Sequence, residues 1–386
     1  MKFCLSVCEL NPLHNGHIKL ISEMKNRGDA VILIMSGNFC QRGEAAVTDK
    51  YARARHAILA GADMVVELPT VFACAPAEIF AKGAIKLLSS IKGEKTLFFG
   101  TESGGKEDFL KLAGVLSDEN KNFKRVLKEE LKQGSSFAVA RYNALKRTCP
   151  DTDLSMLETP NSILGLEYAK AISYFGSDID ICPIERENNF ASNALGEKYC
   201  SSYAVREAIK EGKVKKVKPY LPDYVYGDLP KTLPDISKTA LYSVLKADGK
   251  DLKRITDCSE GLENRIKAMA RGALTLNELI DRLETRRYTR ARLSRIITAN
   301  MLGLDREFTE KCLKANLYLK VLAIKNERKD LLSVKTDKTP VLTRKTDFEK
   351  LSGTSRDCFL KDVFACDVYS LSGGAKVNEF EMKIVK

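Results

Sequence analysis

The chain has 386 residues, 44% hydrophobic and 30% charged, with a formal net charge of +12. That is a globular composition with length for about two domains, and it excludes disorder, collagen and coiled coil. No uninterrupted apolar run approaches the ~20 residues of a membrane span, and the N-terminal apolar run 3–7 meets Glu9, Asn11 and His14 without a signal peptide's longer apolar region or cleavage site, so a cytoplasmic protein without a membrane partner is expected.

In chain order, the apolar run 3–7 predicts a buried strand. Residues 16–25 follow with Ile18, Leu20, Ile21 and Met24 at helical spacing. The β-branched run 30–35 predicts a second strand. Thr48 and Asp49 offer an N-cap to a helix over 51–59, which Gly61 closes. A third strand is expected over 64–68, a helix from Pro76 to about residue 88, and a fourth strand over 96–99. Strand alternating with helix implies right-handed crossovers and a parallel sheet covered on both faces. Such a sheet holds its ligand outside the carboxyl ends of the strands.

Residues 105–175 read as helical, 179–184 as another strand and 203–210 as a short helix capped by Ser201 and Ser202. The stretch from Lys213 to Lys218, followed by Pro219, Pro222, Pro230 and Pro234, breaks the pattern and places a boundary near 215–235. Helices are expected at about 236–247, 260–271, 274–284 and 289–303. The tail 317–386 mixes short helices and possible strands.

Charge divides the chain as well. Residues 216–386 hold 34 Lys and Arg against 24 Asp and Glu, whereas residues 1–215 hold 29 against 27. A basic half suggests a polyanionic partner, most often nucleic acid. The eleven cysteines are scattered, with no CxxC pair. That usage suits reduced thiols in a reducing compartment, not a disulfide framework or a zinc site.

All three histidines lie in the first 56 residues. Two belong to the run Asn11-Pro12-Leu13-His14-Asn15-Gly16-His17-Ile18, directly after the first strand and opening the first helix. Backbone N–H groups and the positive helix end make a ready anion site there. Gly16 would let the backbone come close to a phosphate. His14 and His17 are three apart, so both can face one ligand and stabilise charge building on an α-phosphate as pyrophosphate leaves. Two histidines at this spacing also suit a metal, but only His56 remains as a third, and no metal site is expected. Ordinary capping or surface histidines are the other reading. The segment Gly100-Thr101-Glu102-Ser103-Gly104-Gly105-Lys106 lacks the order of a Walker A loop. Lys50, Arg53 and Arg55 on the second helix read as a solvated face, or as a basic helix near an RNA base.

His-x-Gly-His after strand one resembles the HIGH nucleotidyltransferase superfamily. Ser201-Ser202-Tyr203-Ala204-Val205-Arg206 resembles its second element, in which serines at a helix start and an arginine one turn later, here Ser202 and Arg206, grip phosphates. Further blocks narrow the resemblance: Glu9 to His17, Ser36-Gly37-Asn38-Phe39-Cys40-Gln41-Arg42-Gly43-Glu44, Gly61 to Pro69, Pro160-Asn161-Ser162-Ile163-Leu164-Gly165, Glu260 to Ile266, and Arg286 to Leu293. Together, and in this order, they resemble the bacterial tRNA(Met) cytidine acetate ligase family.

The resemblance implies an α/β protein: a Rossmann-like, HIGH-type parallel sheet over 1–215 that adenylates acetate with ATP, and a basic, mainly α-helical tRNA-binding region over 216–386. The implied ligase releases pyrophosphate, then passes the acetyl group to the N4 amine of the wobble cytidine of elongator tRNA(Met), giving N4-acetylcytidine and AMP. His14 and His17 are the implied catalytic pair. The implied ATP site covers Val7, Cys8, Glu9, Leu10, Asn11, Pro12, Leu13, His14, Asn15, Gly16, His17, Ile18, Lys19 and Leu20, then Gly100, Asn161 and Arg186. Mg²⁺ is expected with ATP, although no carboxylate cluster marks its site. Lys19 or Arg42 would assist, Arg42 from a Gly-bracketed loop that suits a lid or an RNA contact.

Arg282, Arg286, Arg287, Arg290, Arg292 and Arg295 fall within fourteen residues, with Tyr288 among them and only Asp281 and Glu284 nearby. Arginines without matching acids favour RNA phosphates and bases, so Arg286, Arg287, Arg290, Arg292 and Arg295 are the expected tRNA contacts. Leu293, Ile296, Ile297 and Met301 give the same helix a core face. Two other functions share parts of this pattern. A small-molecule nucleotidyltransferase has no need of the basic second half, and a non-catalytic tRNA-binding protein has no need of intact His14, Gly16 and His17.

Overall fold

Strands joined by crossovers of a dozen or more residues pair parallel. The computed structural model, which describes residues 1–117, 121–133, 137–152, 154–186 and 200–386, contains five such strands. They are β1 (Lys2–Cys8), β2 (Ala30–Ser36), β3 (Met64–Leu68), β4 (Glu94–Thr101) and β5 (Asp180–Glu185), in the spatial order β5-β4-β1-β2-β3. All four neighbouring pairs are parallel, with Phe3 opposite Ala30 and Cys8 opposite Met35 between β1 and β2. The chain moves outward from β1 to β3, then returns to the other side of β1 for β4. The crevice between the carboxyl ends of β1 and β4 is therefore the switch point where open parallel sheets hold ligands.

Period-two alternation splits each inner strand between two cores. Phe3, Leu5, Ala30, Ile32 and Ile34 face one core, while Cys4, Val31, Leu33 and Met35 face the other. The first core is covered by the helices Ala77–Ser89, Lys106–Ser117 and Pro160–Phe175 through Phe80, Phe109 and Leu166. The second is covered by α1 (Asn15–Lys25), α2 (Lys50–Leu59) and the helix Ser202–Lys210. Asp49 caps α2, accepting from the N–H groups of Tyr51 and Ala52 at 2.9 and 3.0 Å. The helical expectation for 105–175 resolves into several separate helices, and its residues 118–120, 134–136 and 153 lie outside the described residues. Four later helices, Ser237–Lys246, Leu262–Ala270, Leu276–Leu283 and Arg290–Leu302, lie within two residues of expectation. Among the described residues no helix is long and apolar enough to cross a membrane. All eleven cysteines are unpaired, nine of them buried.

The sheet continues past the boundary expected near 215–235. β6 (Leu319–Lys325) adds antiparallel to β3, with Met64 opposite Ile324, and both β7 (Val341–Leu342) and β8 (Lys383–Val385) pair parallel to β6. The sheet is thus mostly, not wholly, parallel. One core also runs from Phe3 through Ile236 and Leu293 to Tyr369, across residues 215 and 216. β3 would otherwise be an open edge, and β6 covers it.

At this seam lie the basic residues expected on a solvated face. Lys50 and Arg53 are fully buried, and only Arg55 is exposed. Lys50 Nζ sits 2.7 and 2.9 Å from the Glu67 carboxylate and 2.6 Å from Glu379. Lys320 Nζ meets Glu67 at 2.9 Å and also binds Glu379. Burial alone would lower the Lys50 pKa, but Cys366, Glu379 and Glu67 hold it well above the ordinary value. Arg53 donates to the carbonyls of Thr48, Glu9, Ser36 and Gly37, binding the carboxyl ends of β1 and β2 together. Pattern reading assigned these side chains to water because the groups that satisfy them lie far away in sequence.

Candidate active site

A cavity of about 460 Å³ opens at the switch point, a size suited to a nucleotide-scale ligand. The end of β1 and the loop after it enter through Val7, Cys8, Glu9, Leu10 and Asn11, and α1 enters through His14, Gly16, His17, Lys19 and Leu20. Gly100, next to last in β4, stands at the wall, and Asn161, Arg186, Ser202 and Arg206 also line it. Four expected residues do not. Leu13 is core, and Ile18 packs against the second core. Asn15 Nδ2 donates to the Pro219 carbonyl at 3.2 Å, and the Pro12 carbonyl accepts from Ser202 Oγ at 3.0 Å. These four shape the loop and its helix.

His14 and His17 form the entrance to α1. His14 is the N-cap, and its Nδ1 accepts from the Gly16 N–H at 3.1 Å. His17 Nδ1 accepts from the His14 N–H at 3.2 Å, which makes a reciprocal capping box. An imidazole that accepts at Nδ1 carries its proton on Nε2. Both rings therefore present Nε2–H donors, and neither Nε2 has a protein partner among the described residues. The ring centroids are 3.8 Å apart, tilted by 31°. Burial, aided by the Arg186 charge, pulls the His17 pKa down to about 3. Burial, His17 and Arg186 take His14 well below its ordinary value. The pair is neutral at pH 7 and offers two N–H donors without cationic charge.

Gly16 also makes room for the His14 ring. A Cβ there would lie 2.9 Å from His14 Cε1. Gly16→Ala would gain ~0.5–1 kcal/mol of helix propensity while pushing the His14 ring off its seat. The expected result is a melting temperature within a few degrees of wild type and ATP–pyrophosphate exchange lowered about 10–100-fold. Calorimetry and the exchange assay on one preparation check both halves.

The other walls are similarly tied. A Cβ on Gly100 would stand 3.2 Å from Arg186 Cδ, so the glycine makes room for that side chain. Asn161 Nδ2 donates to Glu102, which also accepts from the Ser162 N–H at 3.2 Å, so this carboxylate seats the start of the helix Pro160–Phe175. Burial lowers the Arg186 pKa and Glu102 opposes it. Arg206 donates to the Asn11 carbonyl at 2.9 Å and pairs with Glu44 at 3.4 Å. In this structure Ser202 and Arg206 hold the 11–12 turn in place.

Sequence reasoning missed several lining groups, among them Gln41, Glu44, Phe80, Phe99, Tyr168 and Tyr203. Gln41 and Glu44 stood inside the quoted Ser36–Glu44 block and flank Arg42, which also lines the cavity. Phe80 and Tyr168 gave no signal, since an aromatic residue on a helix reads as core.

The arginine cluster is less bare than expected. Glu260 and Glu278 supply acids for Arg287 and Arg282, and Asp281 and Glu284 both pair with Arg290. Arg292 donates to the Asp257 carbonyl at 3.2 and 2.7 Å and lies over the Tyr288 ring at 5.2 Å. Arg286 and Arg287 are exposed. An exposed pair such as Arg287–Glu260 is worth ~0–1 kcal/mol, little enough to yield to a phosphate.

A parallel sheet with a paired-histidine helix start at its switch point defines a nucleotidyltransferase of the HIGH class. The sequence profile of the family described as HIGH Nucleotidyl Transferase matches residues 1–383. A tRNA(Met) cytidine acetate ligase of Caldanaerobacter subterraneus subsp. tengcongensis is 37% identical over 95% of this chain and 94% of its own. The enzyme of that name from Acetivibrio thermocellus is 34% identical over 96% and 94%. The crystal structure of Thermotoga maritima TmcAL bound with alpha-thio ATP superposes with a TM-score of 0.88 at 29% identity, covering all of both chains. The chain belongs to the tRNA(Met) cytidine acetate ligase family of HIGH nucleotidyltransferases.

Proposed function

We propose that this protein adenylates acetate with ATP and transfers the acetyl group to the N4 amine of the wobble cytidine of elongator tRNA(Met). The observation that carries the reading is the neutral His14–His17 pair aiming two N–H donors from a helix start at the switch point. In the first step an acetate oxygen attacks the α-phosphorus. A P–O bond forms, the bond to the β-phosphate oxygen breaks, and pyrophosphate leaves with the electron pair. The two Nε2–H groups stabilise the charge that grows on the phosphate oxygens, and Arg186 balances it from the β5 side. In the second step the cytidine amine attacks the acetyl carbon. The C–N bond forms, the C–O bond to AMP breaks, and the amine proton leaves.

Val7, Cys8, Glu9, Leu10, Gly100 and Asn161 would contact the nucleotide, and Arg286 and Arg287 the tRNA backbone. Among the described residues no three His, Cys, Asp or Glu come together as metal ligands. No step here runs through the Mg²⁺ expected with ATP. Work in the cytoplasm, where ATP and tRNA both are, fits the reading.

The deciding experiment is nucleoside mass spectrometry of purified elongator tRNA(Met) after incubation with the protein, ATP and acetate. An acetyl mass gain on cytidine that needs both small molecules establishes the reading. No gain, with ATP and tRNA both bound, overturns it.

The neutral pair also fixes a pH profile. Pyrophosphate exchange is expected to show no limb from His14 or His17 between pH 6 and 8. A wild-type limb near pH 6.5 that disappears in His17→Gln would contradict neutral donors. Stability behaves differently. Below about pH 6.5 the unfolded chain binds a proton that native His17 refuses until about pH 3. Folding stability therefore falls as pH drops through that window, by up to ~1.4 kcal/mol per pH unit from this group.

A further inference from the structure

The floor of the cavity differs from its mouth. Asn161, Leu164 and Tyr168 all line it, and their spacing of three and four puts them on one face of the helix Pro160–Phe175. Exposure falls along that face, from half-buried Asn161 and Leu164 to Tyr168 at 2%. Tyr168 therefore stands at the closed end. Its ring packs on Phe99, with the centroids 5.9 Å apart. A Cβ on Gly165 would run into the Phe99 ring, so that glycine lets the helix close down and sets the depth of Tyr168.

Tyr168 Oη is buried and has no hydrogen-bond partner among the described residues. A long side chain on a helix leans back toward the helix start, which here is the direction of Leu164 and the open cavity. A buried hydroxyl left unpaired is costly, and a cavity beside it points to a ligand that completes it. Burial holds the hydroxyl protonated, with its pKa well above the ordinary phenol value, and Cys8 and Glu9 add to this. At neutral pH it is a donor.

The walls around it are apolar. Val7, Phe80, Phe99 and Leu164 line the cavity and pack in or against the first core. Glu9, just past β1, gives one oxygen to the Gln41 N–H at 2.6 Å, and burial raises its pKa toward the uncharged form. One donor for one oxygen, set in a wall for a methyl group, matches a short monocarboxylate and not a triphosphate. The direction of approach fits as well. α1 lies over the second core, so His14 and His17 reach the end of β1 from one face of the sheet and Tyr168 from the other. An α-phosphate held by the histidines is open to attack from the Tyr168 side.

We propose that Tyr168 seats the acid substrate: its Oη donates to one carboxylate oxygen of acetate while the other oxygen faces the α-phosphorus, and Leu164, Phe80 and Phe99 close around the methyl group to exclude longer acids. The inference deepens the ligase reading and rests on it for the identity of the acid.

Pyrophosphate exchange without RNA, with acetate and ATP varied in turn, tests the seat. Tyr168→Phe keeps the ring and removes only the hydroxyl. Its KM for acetate is expected to rise about 10–100-fold, the loss of one hydrogen bond to a charged oxygen, while its KM for ATP stays within about twofold. The melting temperature should not fall, because no hydrogen bond within the protein is lost. Leu164→Ala should open the closed end and raise kcat/KM for propionate relative to acetate by about tenfold. If the KM for acetate in Tyr168→Phe rises less than about fivefold, the proposal is wrong and the tyrosine is only core. It is equally wrong if the KM for ATP rises as much as that for acetate, because the hydroxyl then serves the nucleotide. If the acetate KM shifts as expected but nucleoside mass spectrometry finds no acetylcytidine, the ligase reading fails and the acid seat stands. If the wild type exchanges only with another short acid such as formate or propionate, acetate is the wrong acid, and the seat stands only if Tyr168→Phe raises the KM for that acid. Exchange with no monocarboxylate overturns both.

Discussion

His17→Ala is expected to lower acetate-dependent ATP–pyrophosphate exchange by about 10²–10³-fold, the range for removing one donor from a developing oxyanion. The substitution removes two things at once. One is the Nε2–H aimed into the cavity. The other is the Nδ1 that accepts from the His14 N–H at 3.2 Å and completes the helix cap. A lost cap costs ~1 kcal/mol of stability, which a melting curve reads separately from rate. His17→Gln separates the two further, because its amide carries an N–H close to the place of Nε2 and should recover part of the exchange rate. The same variant should leave the salt dependence of tRNA binding untouched. Exchange within about threefold of wild type in His17→Ala, measured well below its melting temperature, would remove His17 from the chemistry.

The sequence carried the sheet and the place of the site for one physical reason. Strands buried on both faces are near-continuous apolar runs, and β1 to β3 fit this apart from Lys2, Ser6, Ser36 and Glu67. The histidine pair fell between a strand and a helix, so its place at the strand ends could be read directly. The rings' roles in capping each other could not, because spacing says nothing about which nitrogen accepts. β6 was harder. Leu319-Lys320-Val321-Leu322-Ala323-Ile324-Lys325 has the composition of a strand or of a buried helix segment, and only its pairing with β3 decides. Lys50 was misread because the Glu379 that satisfies it lies 329 residues away. Near the arginine cluster one acid escaped notice in the same manner, since Glu260 lies outside any helical window drawn around Arg287. Charged residues are assigned to water by default, and that default fails where the fold gathers partners from distant segments.

Those gathered partners set the largest expected effect on stability. Lys50, Lys320, Glu67 and Glu379 form a neutral quartet, each at most 5% exposed at the side chain. Tyr51 Oη donates to the Glu379 carbonyl at 3.1 Å, and Cys366 Sγ donates to its carboxylate at 2.8 Å. Such a set is weakly stabilising as a whole, because desolvation offsets the attraction, but removing one member leaves an uncompensated buried charge that costs ~3–5 kcal/mol. Lys320→Met should therefore lose a large part of a total stability of about 5–15 kcal/mol. The double variant Lys320→Met with Glu379→Gln restores neutrality and should recover more than half of that loss, although each substitution alone destabilises. The damage should also reach the active site. A Cβ on Gly37 would stand 2.5 Å from Glu67 Oε1, and Asn38 accepts from the Lys50 N–H at 2.8 Å. These two residues lead into the loop that carries Gln41 and Arg42, so a shifted Glu67 should raise the KM for ATP before the protein unfolds. Urea titrations of the two single variants and the double form a closed cycle. Additive losses would show that Lys320 and Glu379 act independently, and the quartet would then not be the unit that ties β6 and the Glu379 segment to the nucleotide-binding sheet.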